Sequence, residues 1–134
     1  MEDARQRIIR EFRANGGHCG GYFADIPLLL LTTVGARSGR SHTTPLAYLG
    51  AGGRYVVLAA NAGAARHPDW YHNLAAHPDV TVEVGTATLA AAAVEVTGGE
   101  RGTLFGAFTR RHPQAAGYRS RTTRPIPVIA LTPA

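Results

Sequence analysis

The sequence contains no lysine: all fourteen basic residues are arginines, and with nine acidic residues the formal net charge is +5 at pH 7. Forked guanidinium groups suit phosphate and carboxylate, so this charge indicates anionic partners as well as plain solubility. The chain has one cysteine, Cys19, which excludes an intrachain disulfide and stands outside any zinc or redox motif. We therefore expect a reducing compartment, the cytoplasm.

Long hydrophobic runs are also missing. The longest, residues 26–31, is far below the ~20 residues of a membrane span, and the charged stretch up to Asp25 is unlike a signal peptide. We expect no targeting or spanning segment. The length of 134 residues and the apolar fraction of 45% predict one domain over residues 1–134, of which residues 1–24 form an N-terminal helix and loop.

Apolar residues at helical spacing predict an amphipathic helix over residues 3–14. Its arginine-rich face is interpreted as solvated surface, with contact to an anionic membrane surface as the alternative. A second helix is predicted between Pro68 and Pro78, because proline is favoured at a first turn. A third follows the capping-box spacing that starts at Thr97.

Six short segments have the composition or alternation of strands. They are residues 27–34, 43–49, 54–60, 80–84, 88–96 and 127–131. Glycine turns at residues 50–53 and 85–86 predict two antiparallel hairpins. Antiparallel hairpins with helices inserted between them predict an α+β fold, with six strands closing into a small barrel.

A basic loop joins the first two predicted strands. Gly35 and Gly39 allow sharp turns that expose backbone N–H groups, and Arg37, Ser38 and Arg40 add forked cations and a hydroxyl. This inventory can hold a phosphate without catalysing a reaction. The loop matches neither the GxGxxG fingerprint nor the GxxxxG fingerprint that is followed by Lys-Ser/Thr. The alternative interpretation is therefore that its two arginines are exposed side chains without a ligand.

The second candidate segment is residues 61–74, where a strand end, a glycine turn and a helix start converge. A planar polar ligand could lie there with Arg66 on its charged part, because helix N-termini attract anions. Trp70 could stack on that ligand or belong to the core, and His67 could simply cap the helix.

Other function classes fit less well. His67, His72 and His77 recur every five residues, off a common helical face, so no metal site is expected. No serine lies in a nucleophile elbow, which argues against a hydrolase. Scattered arginines without exposed aromatics argue against nucleic-acid binding.

Two long motifs in the same order carry a family resemblance. "NGG…GGYFADIPLLLLTTVGARSGRSHTTPLAY" followed by "NAGAARHPDWYHNLAAHPDVTVEVG" resembles the deazaflavin-dependent nitroreductase family, which includes quinone reductases. The similarity is strong over residues 15–84 and looser as far as residues 127–131. It implies a split β-barrel that uses reduced coenzyme F420.

The resemblance also implies roles for individual residues. The basic loop would hold the coenzyme's phosphate and oligoglutamate tail through Arg37, Ser38, Gly39, Arg40 and His42. The next strand would lie along the deazaflavin at Thr43, Thr44, Pro45 and Leu46. The other edge of the ring would meet Leu58, Ala59, Ala60, Asn61 and Ala62. The following helix would border the ring system with Trp70, Tyr71 and Asn73, and Arg66 stands where the family often has a basic residue.

The expected reaction is hydride transfer from reduced F420 to a quinone-like, nitro or enone acceptor. Tyr118 is the preferred proton donor, with His72 or solvent as alternatives. Ala115 stands in a tyrosine position of the family and Ala60 in a serine position, which argues against bulky nitroimidazoles as substrates. An FMN- or haem-binding split barrel and a non-catalytic F420 carrier stay open as alternatives, and so do a monomer and a homodimer.

Overall fold

The computed structural model describes residues 2–122 and 124–134, apart from the side chains of residues 62 and 119–121. The α-helices are α1 (Ala4–Ala14), α2 (Asp69–Ala76) and α3 (Gly98–Arg111). The strands are β1 (Leu28–Val34), β2 (Ser41–Ala47), β3 (Leu49–Ala51), β4 (Arg54–Leu58), β5 (Asp79–Val84), β6 (Ala87–Val96) and β7 (Val128–Pro133). Short 3-10 helices cover Gly21–Phe23, Asn61–Gly63 and Pro113–Arg121.

All seven strands form one antiparallel sheet in the order β2-β1-β5-β6-β7-β4-β3. The two strands at its opposite ends, β2 and β3, are joined through Tyr48 alone. The sheet therefore has to curl until its ends meet, which produces a barrel. The result is the α+β barrel class predicted from the sequence.

The predicted strand 43–49 is wrong in one respect. The chain bends at Tyr48, so that Ala47 pairs with Leu28 of β1 while Leu49 pairs with Val56 of β4. The described part of the chain consequently has seven strands rather than six, and the hairpin predicted around residues 50–53 is formed by β3 and β4, without β2. The β5–β6 hairpin is confirmed, with Gly85 at φ 58° in its turn.

Three apolar clusters hold the helices on the sheet. α2 packs with Trp70 and Leu74 on the cluster that contains Leu29 and Leu31 of β1. α3 packs on a second cluster with β4 and β7, and α1 inserts Phe12, 1% exposed, into a third. The capping box predicted at Thr97 is not formed, because Thr97 makes no side-chain cap, whereas Asp3 and Gln6 form one at α1.

A hydrogen bond from the residue that follows α3 stabilises the bend at Tyr48. The buried His112 donates its Nε2–H to the Tyr48 carbonyl oxygen over 2.8 Å. Burial lowers the pKa of His112, with a smaller lowering by Arg111 that opposes the effect of this hydrogen bond. A neutral imidazole thus joins β2 and β3 to α3.

Within residues 2–122 and 124–134, no helix has the length and apolar character needed to cross a bilayer.

Candidate functional site

A cleft of about 1310 Å³ opens beside the barrel and collects most of the residues singled out in the sequence. Its walls come from the basic loop, β2, the segment from Leu58 to Asn73, and the α3 end with the 3-10 helix that follows it. Predicted site residues lining it are Arg37, Ser38, His42, Thr44, Pro45, Leu46, Leu58, Ala60, Asn61, Arg66, Trp70, Asn73 and Tyr118.

The basic loop is a tight turn in which several backbone N–H groups donate to acceptors within the loop itself. The Gly35 N–H donates to Arg40 O (2.7 Å), the Gly39 N–H to Gly35 O (3.0 Å), and the Arg40 N–H to Ser38 Oγ (3.1 Å). The prediction that the loop exposes its N–H groups therefore holds only in part. Among the described residues, the N–H groups of Arg37 and Ser38 have no partner and are available to an anion.

Gly35 is required by this packing. A Cβ at residue 35 would meet Ser38 Oγ, His42 Nε2 at 3.0 Å and the Arg40 carbonyl oxygen at 3.3 Å. Gly39 adopts φ 70°, a left-handed conformation that favours glycine. The two glycines thus shape the turn.

Asn73 ties the basic loop to α2. Its Oδ1 accepts the Ala36 N–H (3.0 Å), and its Nδ2 donates to Thr33 Oγ1 (3.2 Å). Asn73 and Thr33 are 9% and 1% exposed, so few water molecules can replace these bonds. Asn73 was predicted to border the ring of the ligand; its side chain also positions the loop that carries Arg37.

The cleft carries a strong positive charge. Arg37, Arg66 and Arg5 line it from the basic loop, the segment before α2 and α1, and within the described part of the chain Asp69 is the acidic residue among the lining. Arg40 lies in the same loop but does not line the cleft. Arg5 was not predicted as a site residue, because only the tertiary packing of α1 brings it there.

Beside the charged part lies an apolar surface formed by Pro45, Leu46, Leu58, Ala60 and Trp70. Trp70 is only 7% exposed and packs in the core cluster, which confirms the core interpretation, and stacking on a ligand stays a prediction. Its remaining surface lines the cleft. An apolar surface next to clustered cations suits a flat ring with an anionic chain.

Some predicted residues lie elsewhere: Gly39, Arg40, Thr43, Ala59 and Tyr71 do not line the cleft. Thr43 pairs its hydroxyl with Thr32 at 2.8 Å, Ala59 is fully buried, and Tyr71 donates its hydroxyl to Glu95 at 2.6 Å. Ala62 belongs to the 3-10 helix Asn61–Gly63, and its side chain is outside the described residues.

Arg124 organises the wall from residue 59 to residue 67, a role that was not predicted. Its guanidinium donates to the carbonyl oxygens of Ala59 (3.2 Å), Ala60 (2.7 Å) and Ala64 (2.9 Å), and Nη1 lies 2.9 Å from His67 Nδ1. Burial and the Arg124 charge lower the pKa of His67. The contact joins residues 57 positions apart, so no local pattern could reveal it.

Asn61 shapes the same wall. It adopts a left-handed conformation, φ 48°, which asparagine tolerates better than most residues, and its Nδ2 donates to Arg66 O over 3.1 Å. Tyr118 and His72 line the cleft too, as do Tyr22 and Phe23, an aromatic pair for which no role was predicted. No group of three or more possible metal ligands lies together in the described part of the chain.

Comparison with known proteins identifies the family. Residues 4–133 match the family model described as F420H(2)-dependent quinone reductase. An F420H(2)-dependent quinone reductase of Mycobacterium tuberculosis strain H37Rv is 36% identical over 125 residues, which cover 90% of this chain and 84% of that protein.

Two solved structures are similar to the chain as well. An F420H2-dependent reductase, FDR-A, superposes with a TM-score of 0.73 at 36% identity, over 78% of this chain and 93% of its own. A chain described as a domain-swapped dimer superposes with a TM-score of 0.75 at 33% identity, over 94% of both chains. The predicted α+β split-barrel fold is thereby confirmed.

Proposed function

This chain belongs to the F420H(2)-dependent quinone reductase family, and on that premise we propose that it binds reduced coenzyme F420 in the cleft and reduces a quinone-like acceptor there. The observation that carries the proposal is the junction, in one cleft, of a basic loop and an apolar surface. The phosphate and oligoglutamate tail would lie on the basic loop, and the flat deazaflavin on the apolar surface.

The residues present fit such a coenzyme. Arg37, Arg66 and Arg5 line the cleft, and the unpartnered N–H groups of Arg37 and Ser38 add neutral donors beside these charges. Arginine binds phosphate and carboxylate through paired N–H groups, and several carboxylates need several such forks. Pro45 and Leu46 on β2 offer the apolar surface that a ring requires.

When bound, reduced F420 supplies the hydride for the reaction. The chain's own contribution is to hold the ring and the acceptor together in one cleft, which favours transfer between them. A quinone that takes up a hydride also needs one proton to become a hydroquinone. We propose the Tyr118 hydroxyl as its source, with His72, which also lines the cleft, or solvent as alternatives.

The side chains at residues 60 and 115 support the proposed acceptor class. Ala60 and Ala115 line the cleft with small side chains, which leaves room for a flat ring and offers no hydroxyl to a nitro group. Quinones are therefore the proposed acceptors, and nitro compounds or enones secondary ones.

A homodimer is the proposed assembly, supported by the 33% identical chain described as a domain-swapped dimer. Light scattering on the purified chain tests this assembly.

The test is a fluorescence titration of the purified chain with F420, followed by oxidation of reduced F420 after menadione is added. Saturable binding with turnover supports the proposal. Binding without oxidation identifies a carrier. Displacement of F420 by FMN or haem at lower concentration than F420 itself identifies a split barrel for another cofactor, and absence of saturable binding contradicts the proposal.

A further inference from the structure

His67 and Arg124 form a pair that the proposed function does not use. The His67 ring lines the cleft and is half-buried, packed at 4.6 Å against the Tyr71 ring. Arg124 stands behind it, between the end of the 3-10 helix Pro113–Arg121 and β7. Its guanidinium is fixed by carbonyl oxygens of the cleft wall, so the position of its Nη1 is fixed as well.

The hydrogen bond between the two side chains determines where the imidazole proton lies. Arginine has only donors, so in the 2.9 Å contact Arg124 Nη1 donates and His67 Nδ1 must accept. An Nδ1 that accepts carries no proton. The neutral ring therefore has its proton on Nε2, and no described residue takes a hydrogen bond from that N–H.

The surroundings keep this ring neutral. Protonation at Nδ1 would place a second N–H against that of Arg124 and a second positive charge beside it. The pKa of His67 is lowered by burial, by Arg124 and by His72 of α2, while Glu95 of β6 raises it less. Glu95 also accepts the hydroxyl of Tyr71, so part of its acceptor capacity is directed away from His67.

We propose that His67, held by Arg124 as the neutral Nε2–H tautomer, donates a hydrogen bond to a carbonyl oxygen of the ring compound bound in the cleft. Arg124 is then the positioning residue. That the ring compound is F420 or its quinone acceptor rests on the proposed function; both carry carbonyl oxygens, and an N–H donor recognises either.

The direct test is ¹⁵N spectroscopy of the full chain labelled at histidine, with the His67 signals assigned by their loss in His67→Asn. At pH 7.5 the ligand-free protein should show a neutral ring with Nδ1 as the acceptor nitrogen and the proton on Nε2. A neutral ring protonated on Nδ1 at that pH would overturn the inference.

Separate additions of F420, of menadione and of both then identify the ligand that accepts the bond. A shift of the Nε2 signal with F420 alone indicates the cofactor, and a shift only when menadione is present indicates the acceptor. No shift in any addition refutes the donor role. Fluorescence reports F420 binding independently, so a failure of the proposed function is distinguished from a failure of this inference.

Two substitutions of His67 distinguish the roles of its two ring nitrogens. His67→Asn leaves an oxygen near the Nδ1 position for Arg124 but removes the Nε2 donor, and kcat/KM with menadione should fall about tenfold, as expected for one lost hydrogen bond. His67→Gln, whose amide reaches the Nε2 position, should restore part of that loss. His77→Asn, at an exposed position after α2, is the matched control and should change nothing. Equal losses in His67→Asn and His77→Asn would overturn the inference.

Discussion

Replacing Asn73 by alanine should both destabilise the barrel and weaken cofactor binding. The substitution removes the bonds to the Ala36 N–H (3.0 Å) and to Thr33 Oγ1 (3.2 Å). Each hydrogen bond contributes about 1 kcal/mol, and the Thr33 hydroxyl, 1% exposed, is left without this partner, at a further cost of about 1 kcal/mol. We expect a loss of about 2–3 kcal/mol in the free energy of unfolding.

Urea unfolding measures this loss, and the slope m should stay unchanged if only the folded state is affected. Thr33→Val removes the Nδ2 bond alone, so the double-mutant cycle of Asn73→Ala with Thr33→Val should give a coupling of about 1 kcal/mol. Asn15→Ala, at the exposed end of α1, is the control and should stay within about 0.5 kcal/mol of the parent protein.

The same substitution frees the start of the basic loop from α2. F420 affinity should fall several-fold, because the loop has to be ordered again on binding, and each ordered residue costs about 1–2 kcal/mol. A loss of stability below about 0.5 kcal/mol, or an unchanged affinity, would refute the view that Asn73 supports the loop.

Three further results are expected. Gly35→Ala should lower the affinity for F420 while Tm changes little, since an added Cβ would meet the Arg40 carbonyl oxygen at 3.3 Å within the loop itself. A large fall in Tm with unchanged F420 affinity would contradict this. Stability should fall as pH drops below about 6.5, where histidine in the unfolded chain takes up a proton, because His112 has a lowered pKa and binds its proton only at lower pH when folded. His112→Asn should reduce the fall in the urea midpoint between pH 7.5 and 5.5, while the lowered pKa of His67 maintains the rest; an unchanged fall would contradict this. Glu83→Gln should lower the free energy of unfolding by less than about 1 kcal/mol, and not at all in 1 M salt, because the Arg13 partner is 53% exposed and its charge is screened, although it binds Glu83 through two hydrogen bonds. A larger, salt-independent loss in urea unfolding would contradict this.

Much of the fold was predictable because its signals are local. Alternation on both sides of Gly85 determines the β5–β6 hairpin, and the spacing around Phe12 determines α1. The division of one predicted strand at Tyr48 was not predictable, because the flanking residues pair with strands far apart in sequence.

The candidate site was predictable to a similar extent. The family was identified correctly from two motifs, and the match over residues 4–133 confirms it together with the F420-dependent reductase class. Most of the predicted site residues line one cleft, but Thr43 pairs its hydroxyl with Thr32 instead, and Arg40 contributes its carbonyl oxygen to the loop. Arg5 and Arg124 reach the site only through tertiary packing.

The central claim is that the basic loop binds the acidic tail of F420 while the ring lies on the apolar surface. The most direct measurement compares the affinity of complete F420 with that of its deazaflavin head, which lacks the phosphate and glutamates, in the parent protein, Arg37→Ala and Arg40→Ala. Arg37 is exposed, so one charge-assisted contact should contribute about tenfold, at the low end of its range. We predict that Arg37→Ala lowers the affinity for complete F420 about tenfold, Arg40→Ala less than about threefold, and neither changes that for the head. Equal losses in the two variants, or a loss for the head as large as that for complete F420, would contradict the account.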